Sequence, residues 1–97
     1  MPFAIIARDA PGKAELRAKL RQVHVDYLTA RKGVLLAAGA MLDDAGAPIG
    51  GLLIVDTEDR AVAEEFSAGD PFTTGGVFGD VQIVPWRKSF FAFESLR

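Results

Sequence analysis

The sequence predicts an α+β domain, a four-stranded antiparallel sheet with two helices on one face. Three observations carry that expectation. Apolar residues are 49% of the 97 and charged residues 25%, the balance of a folded chain rather than a disordered one. Short apolar runs alternate with two helix-favouring stretches in the order β-α-β-β-α-β. Domains usually run to about 100–150 residues, so the chain holds one. In so short a chain that order closes as the ferredoxin-like plait.

Each element has its own signal. Phe3 to Arg8 is an apolar run with β-branched residues, followed by a polar break at Asp9-Ala10-Pro11-Gly12, and reads as the first strand. Asp9, just ahead of Pro11, suits a helix start with proline in its first turn. Lys13 to about Arg31 favours helix, and Arg31-Lys32-Gly33 offers a basic last turn and a glycine stop. Val34 to Leu42 and Gly50 to Val55 flank the turn residues Asp43 to Pro48, as a β-hairpin does. Gly39 within the first of these suggests a bulge or a close approach by ligand or backbone. Thr57 or Asp59 can cap a second helix from about Arg60 to Ala68, with Ala61, Val62, Ala63 and Phe66 inward. Asp70-Pro71 suits the cap and first position of one more helical turn. Val81 to Trp86 is the last strand, with Pro85 at an edge or terminus.

Composition closes several function classes. There is no cysteine, which removes disulfides, thiolate metal sites and cysteine nucleophiles. The net charge of −2 argues against nucleic-acid binding, which wants clustered Lys and Arg. No apolar run approaches the roughly 20 residues that span a bilayer. The first residues lack the basic region of a secretory signal, so a cytoplasmic protein is expected. Gly75-Gly76-Val77-Phe78-Gly79 lacks the context of a phosphate loop, no nucleophile elbow surrounds a serine, and one histidine makes a poor metal site. Neither cofactor nor metal is expected.

The tail holds Phe90, Phe91 and Phe93, more aromatic surface than a monomer usually leaves in water. It has two possible destinations, the open sheet face or a partner subunit. A plait leaves one sheet face bare, so a homodimer or larger assembly is expected.

The first helix carries the candidate chemistry. At about 100° per residue, Leu16, Leu20, Val23 and Tyr27 form the expected buried stripe, with Glu15, Lys19 and Asp26 facing water. Arg17, Arg21, His24 and Leu28 form a stripe beside it. His24 thus stands at the margin of core and solvent, where an imidazole can act as base or acid near neutral pH. A histidine hydrogen-bonded to a backbone carbonyl is the plainer alternative. Arg17 and Arg21 could hold an anionic substrate. Asp70 is either an ordinary helix cap or the carboxylate that fixes the tautomer of His24. Asp9, Asp43, Asp44 and Asp80 are rival partners, or solvated turn residues.

Several segments, in order, resemble the YCII-like family of small bacterial proteins. They are Arg21 to Leu28, Leu36 to Asp44, Gly50 to Val55, Ala68 to Phe72, Gly76 to Phe78 and Val81 to Trp86. The likeness spans Phe3 to about Lys88, within a single domain over residues 1–97 with an aromatic tail at 89–97. It implies a ferredoxin-like fold paired into a dimeric α+β barrel. It also implies an active-site pair, which falls on His24 and Asp70. One activity tied to the family is dehydrochlorination of a chlorinated hydroxyquinol, in which a base takes a proton and chloride leaves. Gln22 and Val23 depart from the Pro and Ala that many relatives carry before the histidine, and Gly51 from a common serine. The expectation is an enzyme with His24 and Asp70 as base and orienter. Its substrate would lie in a cleft floored at Gly39 and Gly51, with Arg17 or Arg21 on the anion. The alternatives are a non-catalytic anion-binding or accessory dimeric module, and a purely structural dimerising domain.

Overall fold

In the computed structural model residues 1–96 are described, and Arg97, the end of the expected tail, lies outside the described residues. Four strands, β1 (Phe3–Asp9), β2 (Leu35–Leu42), β3 (Pro48–Val55) and β4 (Phe78–Pro85), form one sheet in the order β2-β3-β1-β4. All three pairings are antiparallel. With α1 (Ala14–Ala30) and α2 (Arg60–Gly69) this is the ferredoxin-like arrangement, to which α3 (Pro71–Thr74) adds a single turn. Among the described residues no helix is long and apolar enough to cross a membrane.

The most buried strand, β1, lies inside the sheet between β3 and β4. Phe3, Ala4, Ile5 and Ala7 of β1 are all buried. Ile5 pairs with Leu53 on one side and Ile83 on the other, and that row faces the helices. Ile5, Leu53, Val55 and Phe66 make the buried core, flanked by Tyr27, Leu28, Leu35 and Ile83. By strand alternation Ile6, Leu52, Ile54 and Val84 stand on the opposite face. The β2–β3 turn is tied by Asp43, whose Oδ1 accepts the N–H groups of Ala45 and Ala47, both at 2.9 Å. Gly46 supplies the left-handed residue there, at φ +88°.

Several expectations need correction. Helix α1 begins at Ala14 with no side-chain cap, and Asp9 belongs to β1 instead. The inward stripe of α1 is rotated from the expected one. Val23 is 52% exposed, and no residue of the helix is fully buried. Arg17 and His24 turn inward because carboxylates and an aromatic face await them there, partners that apolar periodicity does not register. Gly33 sits in a 3₁₀ turn (Lys32–Val34) rather than ending the helix. Gly39 makes no bulge, since the register shifts fall between Leu35 and Ala37 and between Met41 and Leu42. In α2 the buried residues are Ala63, Phe66 and Ser67, whereas Ala61 and Val62 are exposed. Strand β4 begins at Phe78, three residues before the expected start, because Phe78 pairs with Asp9 across a bulge.

The tail forms a two-stranded hairpin of its own, β5 (Phe90–Phe91) and β6 (Glu94–Ser95). Phe90 is 63% exposed, and Phe93 is fully exposed at the turn. These two rings do not fold back over the sheet.

Candidate functional site

The end of α2 brings a carboxylate to α1. Asp70 closes α2 and caps α3, with Pro71 as the first residue of that turn. Its Oδ1 accepts the backbone N–H of Phe72 at 2.9 Å, the cap that an Asp-Pro sequence supplies. The same oxygen lies 2.7 Å from Nδ1 of His24. Asp70 is buried and the His24 side chain is 15% exposed. An ionised carboxylate only accepts, so a neutral imidazole facing one here would donate from Nδ1 and keep its lone pair on Nε2. Phe72 completes the holder. Its ring lies parallel to the imidazole, centroids 3.9 Å apart and planes 9° from coplanar.

Two residues apart, Asp70 and Phe72 therefore grip one imidazole by its edge and its face. The backbone-carbonyl alternative for His24 is not what is seen. Of the rival carboxylates, Asp43 ties its own turn, Asp44 and Asp80 are exposed, and Asp9 pairs with Arg17.

Beside His24 a cavity of about 280 Å³ opens between α1 and the strands β2 and β3. His24, Arg17, Arg21, Gly39 and Gly51 all line it, with Asp70 behind the histidine. The expected cleft residues thus meet in one place. A small-molecule pocket usually measures roughly 300–1,000 Å³, so this one suits a single small ring or acid. Gly50, Ala38 and Ala40 complete a wall without side-chain donors. At Gly51 a Cβ would stand 3.2 Å from Cζ of Phe78, so the missing side chain makes room for that ring. Phe78 meets Phe72 edge to face at 5.6 Å, giving the cavity an aromatic end.

The two arginines differ. Arg17 donates from Nε to Asp9 Oδ2 at 2.8 Å, and from Nη2 to Asp9 Oδ1 at 3.4 Å and to the Gly50 carbonyl at 2.8 Å. Three of the five N–H donors of a guanidinium are already engaged, and what remains for a ligand is the Nη1 edge. Arg21 is exposed and forms no ion pair among the described residues. Asp9, expected in a solvated turn or opposite His24, is instead Arg17's partner. Sequence reasoning missed Phe72 and Phe78, and the pairing of Asp9 with Arg17. The signal for Phe72 was its place two residues after Asp70, whereas the early start of β4 hid Phe78.

Tyr27, three residues on from His24, packs against Phe66 of α2 and does not line the cavity. Its hydroxyl donates to the Phe66 carbonyl at 2.8 Å. Burial raises its pKa above 10.0, aided by the Asp70 charge and opposed by Arg31. No group of three or more metal-ligating side chains occurs among the described residues.

Residues 1–87 match the model of the YCII-related domain. An uncharacterised protein of Haemophilus influenzae is 31% identical over 98 residues, covering 93% of this chain and 100% of that protein. Protein YciI of Escherichia coli matches with the same identity and coverage, 31%, 93% and 100%. Among solved structures, a 5-chloro-2-hydroxyhydroquinone dehydrochlorinase from Burkholderia phenoliruptrix, in complex with 2,5-dihydroxybenzoquinone, aligns with a TM-score of 0.82 at 28% identity. That alignment covers 90% of this chain and 94% of the other. An antibiotic biosynthesis monooxygenase shares the fold, with a TM-score of 0.51 at 19% identity over 87% of this chain and 94% of that one.

Proposed function

The chain belongs to the YCII-related domain family, and on that footing we propose that it is a cofactor-independent small-molecule enzyme with His24 as general base. The observation that carries this is the 2.7 Å contact between His24 Nδ1 and a buried Asp70, beside an open cavity. Asp70 holds the imidazole so that Nε2 is the basic atom, and balances the positive charge that appears when Nε2 takes a proton. Arg21, helped by the free edge of Arg17, stabilises the anion that forms on the substrate. That suits lyase or isomerase chemistry on a small anionic or aromatic compound. In a dehydrochlorinase-like elimination the proton passes to His24 and chloride departs with its bonding electrons. The similar dehydrochlorinase, with its quinone ligand, makes a chlorinated hydroxyquinol the first substrate to try.

The test is chloride release from such a substrate by the natural protein and by His24→Ala. A general base contributes about 10²–10⁴-fold, so turnover should fall by that factor. Full turnover without the imidazole would remove the proposal.

A second reading, a non-catalytic anion-binding or accessory module, has one observation in its favour. Gly51, Ala38 and Ala40, on the face of the sheet toward α1, leave the wall of the cavity without a functional side chain. Under that reading 2,5-dihydroxybenzoquinone raises the melting temperature, yet no candidate substrate is converted.

We also propose a homodimer. Ile6, Leu52, Ile54 and Val84 make an apolar face away from the helices, with Leu52 43% exposed, and a second copy of that face would cover it. Sedimentation equilibrium tests this. A dimer that dissociates in Leu52→Asp supports it, and a monomeric natural protein contradicts it.

A further inference from the structure

We propose that Asp9, at the end of β1, is a positioning residue of this site that acts on His24 through Arg17 and Phe72. Its significance for catalysis rests on the reading of His24 as the base. A carboxylate that merely ended a strand would be solvated. The side chains of Asp9 and Arg17 are instead only 11% and 13% exposed.

The contacts form a relay. Both oxygens of Asp9 accept from Arg17, at 2.8 and 3.4 Å, and two points fix the plane of a guanidinium that one point would leave free to swivel. The third bond, to the Gly50 carbonyl at 2.8 Å, ties the same group to β3. So held, the guanidinium carbon lies 4.7 Å from the centre of the Phe72 ring. That is the ring on which His24 stacks at 3.9 Å. Desolvation offsets most of the attraction in a largely buried ion pair, so the pair contributes orientation more than stability. Neutralising Arg17 also leaves Arg21 as the uncompensated cation lining the cavity.

The experiment is NMR on Asp9→Asn, with Arg17→Lys as a second variant that keeps the charge but loses the fork. The signals are those of the single histidine's ring carbon-bound protons, displaced upfield by the Phe72 ring current, and the Arg17 Nε–H correlation. In folded Asp9→Asn the Nε–H signal should be lost to exchange, and the His24 ring signals should move downfield. Arg17→Lys should move the histidine signals the same way. On a substrate the enzyme turns over, kcat should fall with little change in KM. Histidine signals unmoved in a folded variant overturn the proposal. These spectra need no substrate. If the natural protein converts none, the enzyme reading fails while the relay is still decided by the His24 shifts.

Discussion

Nδ1 of His24 and Oδ1 of Asp70 stand 2.7 Å apart although 46 positions separate them in the chain. The contact joins the middle of α1 to the junction of α2 and α3. One carboxylate oxygen meets two nitrogens there, Nδ1 of the imidazole and the backbone N–H of Phe72. The site is therefore built into the packing of the helices, and its members have structural effects that can be measured.

Asp70→Ala should lose both the cap and the buried partner of His24, about 2–3 kcal/mol together. Asp70→Asn keeps an oxygen to cap Phe72 and should lose less. In a domain this size each kcal/mol moves the melting temperature by roughly 4–8 °C, so thermal unfolding resolves the two. An Asp70→Ala protein that melts with the natural one would mean that the cap and the histidine contact contribute nothing.

The cavity glycines should differ sharply when changed to alanine. A Cβ at Gly50 would overlap the Ala7 carbonyl oxygen, and backbone cannot step aside, so Gly50→Ala should cost about 1–3 kcal/mol. Gly51→Ala meets only the rim of Phe78, at 3.2 Å, and should cost less. Gly39 has nothing within 4 Å of its added Cβ, so Gly39→Ala should be neutral or stabilise by about 0.5 kcal/mol. Urea unfolding of the three variants checks the order.

Tyr27 sets an alkaline limit. Its folded pKa is raised by burial above the ordinary 10.0, so the unfolded chain releases the phenol proton first. The folded state binds that proton more tightly. The resulting stabilisation is complete below pH 10 and disappears as pH rises through the folded value. Because the chain has one tyrosine, ultraviolet titration of the phenolate band reads it directly. The midpoint should lie above 10.0, and Tyr27→Phe should flatten the fall in stability over the same range.

Much of this molecule was legible in the sequence. The strand and helix order, the Asp43 turn and the Asp59 and Asp70 caps follow from local chemistry, which acts over a few residues. The family resemblance then singled out Asp70 among five carboxylates. Local chemistry does not report what waits across the fold. Arg17 and His24 point inward because Asp9, Asp70 and the face of Phe72 await them, contacts spanning 8 and 46 residues. An apolar stripe drawn on α1 alone selected Val23, which has no such partner and stays in water. Strand β4 likewise begins early through pairing with β1, which the sequence around Phe78 does not announce.

The measurement that reaches the central claim most directly is the tautomer of His24, read from the nitrogen-15 shifts of its imidazole at a pH where the ring is neutral. A single histidine leaves no ambiguity of assignment. With Asp70 accepting from Nδ1, the natural protein should hold the Nδ1–H form, with Nε2 unprotonated and free for base catalysis. Asp70→Ala should lose that preference. An Nε2–H imidazole in the natural protein, or a tautomer unchanged by removing Asp70, would contradict it.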